Sequence, residues 1–219
     1  MSAGAAFRAE SENRQATRRI GRLFLLGSAL FAIGTLPGAQ DLSLITASAI
    51  IFAGSIFFTS AAAEQLRSSE SDRLDIGSAA VQLAGTIMFN INTFAALDTR
   101  LETRSVDVLV WVPNALGSIC FLVCSAMACA AVRGQGVKAR RIAWLNMLGS
   151  IAFGFSAVAS FVSPATDQAL NATLAAWGTL IGAICFGIAA WMLIPRDGPE
   201  AVGAPALGPE AASPPATSI

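Results

Sequence analysis

The chain has 219 residues, of which 54% are apolar and 13% are charged, and its 14 basic residues balance its 14 acidic residues. Soluble domains carry about a quarter charged residues, so this composition predicts a chain whose main solvent is a lipid bilayer. The balanced charge argues against nucleic acid as a partner. The lack of any His excludes imidazole catalysis and His-ligated metal sites.

Six apolar stretches follow one another along the chain. Each would cross most of a ~30 Å hydrocarbon layer as a helix that rises about 1.5 Å per residue. A membrane β-barrel is excluded because the stretches lack a two-residue alternation. The sequence therefore predicts an all-α, membrane-embedded six-helix bundle with antiparallel neighbours. The predicted spans are residues 20–36, 42–63, 76–97, 108–132, 142–162 and 169–194.

Two tails flank the predicted helices. Residues 1–19 are predicted to form a cytoplasmic tail, and residues 195–219, rich in Pro, Ala and Gly, a disordered cytoplasmic tail. The first stretch has a second interpretation, because a basic N terminus before an apolar run that ends at Pro37-Gly38-Ala39 is also typical of a secretory signal. A motif shared with the other five stretches favours a membrane helix.

The distribution of Lys and Arg predicts the orientation. Twelve of the 14 basic residues lie on one set of alternate segments, and the other set holds only Arg100 and Arg104. Basic loops stay in the cytoplasm. The sequence therefore predicts six crossings with the N terminus and the C terminus both cytoplasmic.

One motif recurs in all six stretches: Gly, a small residue, two apolar residues and Phe. Gly and Phe are four residues apart and so lie on one ridge of a helix. Lipid gives helices little hydrophobic drive to associate, and small residues that let backbones approach hold membrane bundles together. We therefore predict that each Phe packs against the Gly of an antiparallel neighbour. The alternative is a constriction lined by six rings. The pairs are Gly27 and Phe31, Gly54 and Phe58, Gly85 and Phe89, Gly117 and Phe121, Gly149 and Phe153, and Gly182 and Phe186.

A Trp and an Asn precede two copies of the motif, in Trp111-Val112-Pro113-Asn114-Ala115-Leu116-Gly117 and Trp144-Leu145-Asn146-Met147-Leu148-Gly149. This pattern resembles the YrhK-like family of small bacterial integral membrane proteins. The resemblance covers the six helices as repeated hairpins and leaves out both tails, and the first two helices lack the Trp and Asn. It implies residence in the bacterial inner (plasma) membrane. It implies no site residue, because the family has no established function.

Amides are the notable polar groups within the spans, since all 14 acidic residues fall in loops and tails. The absence of intramembrane carboxylates argues against proton- or sodium-coupled transport. Gln82, Asn114 and Asn146 stand three residues before a motif Gly, and Asn90 and Asn92 follow the motif Phe of the third stretch. Hydrogen bonds between helices, worth about 0.6 kcal/mol each, account for such amides. The alternative is that all five line one site for a small neutral solute.

These features favour a non-enzymatic structural or interaction bundle with no cofactor and no metal site. The spans hold no His, Asp or Glu for a nucleophile–base pair, and the four Cys lack CxxC spacing. The alternative function is a small facilitator or channel for a neutral solute, lined by the five amides and gated by the phenylalanines. The lipid bilayer is the expected partner. A protein partner and a homo-oligomer through Gly178-x-x-x-Gly182 stay open.

Overall fold

The computed structural model describes residues 3–36, 43–69 and 73–195, which form six long helices and one short hairpin. Between the last two helices, strands β1 (Val162–Ser163) and β2 (Gln168–Ala169) pair in antiparallel fashion. The predicted C-terminal tail lies outside the described residues from residue 196 onward. The helices are α1 (Ala3–Thr35), α2 (Leu44–Ser68), α3 (Arg73–Ala95), α4 (Thr103–Ala131), α5 (Val137–Ala159) and α6 (Ala172–Leu193).

The helices differ from the predicted spans mainly at their polar ends. α1 begins at Ala3, well before the predicted start at Ile20, because the intervening Ala, Arg, Glu and Gln residues are good helix formers although most are polar. α6 begins at Ala172 and not at residue 169, because the Asn171 side chain caps it by accepting a 2.9 Å hydrogen bond from the Leu174 N–H. Hydropathy therefore locates the apolar middle of each helix and misses its ends.

One turn of α4 is irregular, a π-helical segment at Asp107–Trp111. Pro113 has no N–H with which to bond the carbonyl of Leu109, so the regular hydrogen-bond ladder cannot run through this turn. The Trp111 indole Nε1 donates a 2.8 Å hydrogen bond to the Ala157 carbonyl oxygen of α5. The irregular turn is thereby held against the neighbouring helix.

Helices α2 to α6 are long enough, with mean hydropathies between 1.3 and 1.9, to cross a membrane. Their outward faces are apolar, and in all five the third residue of the motif is an exposed Ile. Such a surface is disfavoured in water and compatible with acyl chains. The chain is therefore a multi-pass membrane protein. The exposed residues are Ile56, Ile87, Ile119, Ile151 and Ile184.

Among the described helices, α1 does not reach the same hydropathy over a full span. Arg18, Arg19 and Arg22 lie at the start of its apolar part and leave a shorter uncharged run than the other helices have. α1 nevertheless packs along α2 and α6, and its Phe24 and Phe31 are buried in the common core. It is thus part of the same helix assembly.

The six helices close into a ring, because each packs against the next along the chain and α6 packs against α1. Neighbouring helices are antiparallel, as the 3.1 Å ion pair between Arg19 of α1 and Glu64 near the end of α2 illustrates. The basic end of the ring, as we call it, holds the end of α2, the start of α3, the α4–α5 connection, the last residues of α6 and most of the described Arg and Lys residues. The opposite end holds the end of α1, the start of α2 and the α3–α4 and α5–α6 connections.

Within each hairpin, the two motif glycines face each other. A Cβ atom added to Gly27 would lie 3.0 Å from the Gly54 carbonyl oxygen, and one added to Gly54 would lie 3.0 Å from that of Gly27. Real Cβ atoms rarely approach so closely, so a side chain here would push the two backbones apart. The other two hairpins show the same reciprocal approach of an added Cβ to the facing carbonyl oxygen. The distances are 3.1 to 3.2 Å between Gly85 and Gly117, and 3.0 to 3.1 Å between Gly149 and Gly182.

Phenylalanine rings of the facing helix lie against most of these glycines. The added Cβ atoms at Gly27 and Gly54 would be 2.7 Å and 2.9 Å from ring atoms of Phe58 and Phe31. The α5–α6 hairpin repeats this reciprocal contact with Phe186 at Gly149 and Phe153 at Gly182. The helices therefore meet by insertion of a ring into the space that an absent side chain leaves.

The α3–α4 hairpin shows the contact on one side only. Ring atoms of Phe89 lie 3.3 Å from the Cβ position of Gly117, whereas Gly85 faces the Cys120 Cβ at 2.8 Å. The motif residues thus do not make the same contacts in all three hairpins. α4 presents a Cys one residue before its Phe at this contact.

The close approach at Gly182 gives a direct test of this packing. We expect Gly182→Ala to lower the unfolding free energy by about 1–3 kcal/mol, because its Cβ would lie 2.5 Å from the Phe153 ring and the tightly packed core must shift. The measurement is thermal unfolding of the purified chain in detergent.

The matched control is Gly154→Ala, also within a long helix, where the added Cβ would meet only Leu122 Cδ1 at an ordinary 3.6 Å. This variant is expected to be neutral or more stable, since Ala favours a helix over Gly. Equal stability of the two variants would contradict the packing described.

Candidate functional site

The six motif phenylalanines fill the centre of the ring, and none is more than 7% exposed. Each Phe lies four residues after its Gly, which displaces it about 6 Å along its helix in the direction of the chain. Because alternate helices run in opposite directions, the rings separate into two layers. The opposite-end triad consists of Phe31, Phe89 and Phe153, and the basic-end triad consists of Phe58, Phe121 and Phe186.

The rings of the basic-end triad all contact one another, with centroids 5.5 to 6.4 Å apart. In the opposite-end triad, Phe153 lies 5.7 Å from Phe89 and 6.1 Å from Phe31. The layers are stacked, since Phe89 and Phe121 are 5.1 Å apart and nearly parallel. Such pairs are each worth about 0.5–1.5 kcal/mol. We call the two triads together the phenylalanine plug.

A cavity of about 510 Å³ opens on the basic-end side of the plug. Phe121 and Phe186 of the basic-end triad form part of its wall, together with Phe24. Asp75 is the one charged side chain among its described lining residues. Its other polar lining residues carry amide and hydroxyl groups: Asn13, Thr17, Gln65, Ser68, Ser69, Ser78, Gln82, Ser125, Gln135 and Asn146. The lining of this basic-end cavity therefore combines apolar side chains with neutral polar groups and one described charge.

A second cavity, of about 230 Å³, lies on the other side of the plug. All three rings of the opposite-end triad line it, and its described lining contains no charged residue. Its polar lining residues are Thr35, Asn92, Thr93, Asn114, Ser156, Ser160 and Thr179. The ring thus contains two cavities, on opposite sides of an aromatic layer, whose described linings include polar side chains and a single charged residue, Asp75.

The five amides do not share one cavity, so the prediction of a single interior site is wrong in that respect. Gln82 and Asn146 line the basic-end cavity, and Asn92 and Asn114 line the opposite-end cavity. Asn90 lines neither. The physical reason is the plug, because amides on antiparallel helices that stand on different sides of the Phe layers cannot reach each other.

Asn90 takes part in a contact between helices. Its Nδ2 donates a 2.8 Å hydrogen bond to the Thr59 hydroxyl of α2, while its Oδ1 is buried without a hydrogen-bond partner. Asn90 thus makes a hydrogen bond between two helices, as the first interpretation of the amides predicted. Asn114 combines both roles, since its Nδ2 donates to the Ser160 hydroxyl of α5 at 3.2 Å and its side chain lines a cavity.

Several lining residues were not identified as site residues from the sequence. The hydroxyls of Ser156, Ser160 and Thr179 lie in the opposite-end cavity, as do those of Thr35 and Thr93. The sequence signal was present for the last two, because each stands four residues after a motif Phe and so faces the same way as the ring. Phe24, which packs on Phe58 at 5.6 Å, carries no motif signal.

Groups that bind metals are scarce. Within the described ranges, no cluster of three or more His, Cys, Asp or Glu residues is close enough to hold a metal ion. All four Cys are unpaired, and Cys124 alone lines one of the two cavities. The chemistry that this arrangement offers is hydrogen bonding on both sides of an aromatic barrier.

The Gly178-x-x-x-Gly182 surface lies against α5 of the same chain. A Cβ atom added to Gly178 would lie 2.8 Å from the Ala152 carbonyl oxygen and 2.9 Å from Ser156 Cβ. This surface is therefore used inside the chain and is closed to a second copy.

Comparisons of the chain with protein-family models, curated proteins and solved structures find no match.

The plug predicts one-sided access to each cavity. In a chain without native Cys, reconstituted in liposomes, we expect Asn146→Cys to react with a membrane-impermeant thiol reagent only from the basic-end side. Asn114→Cys should react only from the other side. Water reaches each cavity from its own end, and the Phe rings exclude the reagent from the other. Labelling with the reagent on one side at a time measures this.

The matched control is Leu148→Cys, two residues from Asn146, whose side chain points outward and is 52% exposed. It should stay unlabelled from both sides, because a thiol among acyl chains does not ionise. Equal labelling of Asn146→Cys from both sides would show that the plug is open.

Proposed function

We propose that all six helices cross the membrane, with both termini in the cytoplasm. Support comes from α1, which packs in the same ring as the five apolar helices and carries the same Gly and Phe contact. Basic residues gather at the end that holds the N terminus, which is the cytoplasmic side by the positive-inside rule. The resemblance to the YrhK-like family supports residence in the bacterial inner membrane.

We propose further that the chain is a facilitator for small neutral solutes. One observation carries this proposal: two polar, nearly uncharged cavities lie on opposite sides of one aromatic layer inside a closed ring of helices. Polar residues that only hold neighbouring helices together by hydrogen bonds require no cavities. A solute that enters either chamber has only the phenylalanine plug between it and the other chamber.

The lining of the chambers favours neutral solutes over ions. Moving a charge into a site without a counter-charge costs much of its hydration energy, whereas hydroxyls and amides replace the hydrogen bonds of a neutral solute. The opposite-end cavity has no charged lining residue among those described, and Asp75 of the other cavity lies at its exposed mouth. The plug would act as a hydrophobic gate, since narrow apolar constrictions exclude water and ions.

The plug also favours the second candidate function, a structural or interaction bundle without transport. Its rings contact one another from layer to layer, which leaves no continuous polar path in the closed ring. Such a bundle would present its apolar outer face or its basic end to a protein partner or a second copy. Flux measurements separate the two candidates.

We propose that the chain is not an enzyme and uses no cofactor. The described lining of both cavities contains one carboxylate, that of Asp75, and no His. The hydroxyl groups nearest the plug donate to backbone carbonyls and not to a basic side chain. No lining group is thus arranged as a nucleophile next to a base.

The facilitator predicts that the plug sets the rate of passage. In liposomes that contain the full chain, urea and glycerol should equilibrate faster than in protein-free liposomes. Phe121→Ala should raise both rates by about tenfold, if the ring contributes about 1.4 kcal/mol to the barrier. Phe121 is the test position because it is 2% exposed and contacts four other plug rings. Stopped-flow light scattering gives the rates.

The matched control is Phe155→Ala on α5, whose ring is 61% exposed on the outer face and should not affect passage. If neither the native chain nor Phe121→Ala exceeds protein-free liposomes, the facilitator is wrong and the structural bundle remains.

A further inference from the structure

The hydroxyl groups of the opposite-end cavity have already used their protons. Thr35 and Thr93 each donate to a carbonyl one turn earlier at 2.7 Å, and Ser160 donates to the Ala157 carbonyl at 3.0 Å. Ser156 and Thr179 both bond the Ala175 carbonyl oxygen and each other. A hydroxyl has one proton and two lone pairs. These five groups therefore offer a ligand acceptors and no donors.

Asn92 is the exception in this cavity. Its side chain is 7% exposed and lines the chamber, and within the described residues its carboxamide makes no hydrogen bond. Its amide atoms are not among the fully buried polar atoms that lack a partner, so they open onto the cavity and can bond a molecule there. Asn92 lies one turn beyond Phe89, and both side chains line this cavity. The Asn92 amide is therefore available to an occupant of this cavity.

The lining defines the chemistry of that occupant. The remaining lone pairs of the hydroxyl and amide oxygens can accept several hydrogen bonds, whereas the unused N–H groups of Asn92 and Asn114 can donate to one or two acceptors. A polyol has as many acceptor oxygens as donors and fits less well. A small carboxamide or urea has several N–H donors around a single C=O. At about 230 Å³ the chamber is smaller than pockets for drug-sized ligands.

We propose that the opposite-end cavity is a binding site for small uncharged molecules of the primary-amide or urea type, with Asn92 as the residue that pairs with their amide group. The proposal rests on the facilitator function and names the solutes that it would admit. The Asn92 carboxamide pairs with the amide of the solute through one N–H and one C=O. The hydroxyls accept the remaining N–H groups, and the rings of Phe31 and Phe89 cover the apolar face.

Binding is tested on the full chain in detergent by saturation-transfer NMR, with acetamide as the probe. N,N-dimethylacetamide, which has the same carbonyl and no N–H, serves as the comparison ligand. Acetamide should receive saturation from the native chain, and N,N-dimethylacetamide should not. Asn92→Leu, which keeps the branched shape of the side chain and removes its amide, should reduce the acetamide signal about fivefold or more, as expected for lost hydrogen bonds.

The matched control is Asn90→Leu on the same helix, whose amide bonds Thr59 and lines neither cavity. It should leave the acetamide signal unchanged. Equal acetamide signals from Asn92→Leu and the native chain would overturn the proposal, and so would equal signals from the two ligands.

Measurements of urea and glycerol flux distinguish an error in the proposed binding site from an error in the proposed facilitator function. Urea flux in liposomes should fall about fivefold or more in Asn92→Leu, glycerol flux should fall less, and Asn90→Leu should match the native chain for both. In one outcome, Asn92→Leu conducts urea as fast as the native chain while Phe121→Ala still raises the urea flux. That result would support the facilitator and overturn the Asn92 site. If no variant conducts but acetamide binding depends on Asn92, the site stands and the facilitator is wrong.

Discussion

The close approach of two glycine backbones within each hairpin is the contact on which the rest of the structure depends. In a bilayer, packing at short range takes the place of the hydrophobic drive that assembles soluble cores. At Gly27 and Gly54 even a methyl group would collide with the facing carbonyl. This contact fixes how deep each helix sits relative to its partner, and it does so in all three hairpins.

The depth of the helices in turn decides where the aromatic side chains lie. The two glycines of a hairpin lie at the same depth along the ring axis. A Phe four residues later therefore lies nearer the basic end on one helix and nearer the opposite end on its antiparallel partner. Six identical motifs thus produce two stacked layers of three rings. The same geometry places polar side chains on both sides of the layers, which is why one short motif generates a barrier and two chambers. The motif isoleucines of α2 to α6 face outward from the ring.

The sequence predicted the helices and most of the Gly and Phe contacts because both depend on spacing along one chain, but the Phe121 ring does not lie against Gly85 as predicted. The prediction that α2 to α6 are long apolar helices is confirmed. It placed Gln82, Asn92 and Asn146 within the spans, but its alternative interpretation joined them with Asn90 and Asn114 in one site. That error arose because spacing fixes the face of a helix on which a residue lies and not which helices surround it. The closure of α6 onto α1 also depends on contacts distant in the chain.

The hydrogen-bonding character of the chambers lay equally beyond sequence reasoning. Thr35 and Thr93 are readable as small polar residues on the ring face, yet only the structure shows that their protons go to the carbonyls of Phe31 and Phe89. Whether an amide is free or bonded is likewise decided by the neighbouring helix. Asn90 finds Thr59, whereas Asn92, two residues along the same helix, faces a cavity.

Water-edited solid-state NMR of the isotope-labelled full chain in liposomes tests most directly that a dry plug separates two wet chambers. The expected result is fast transfer of magnetisation from water to the side chains of Asn146 and Asn92, and slow transfer to the rings of Phe121 and Phe153. Fast transfer to those rings, or slow transfer to both amides, would contradict the account.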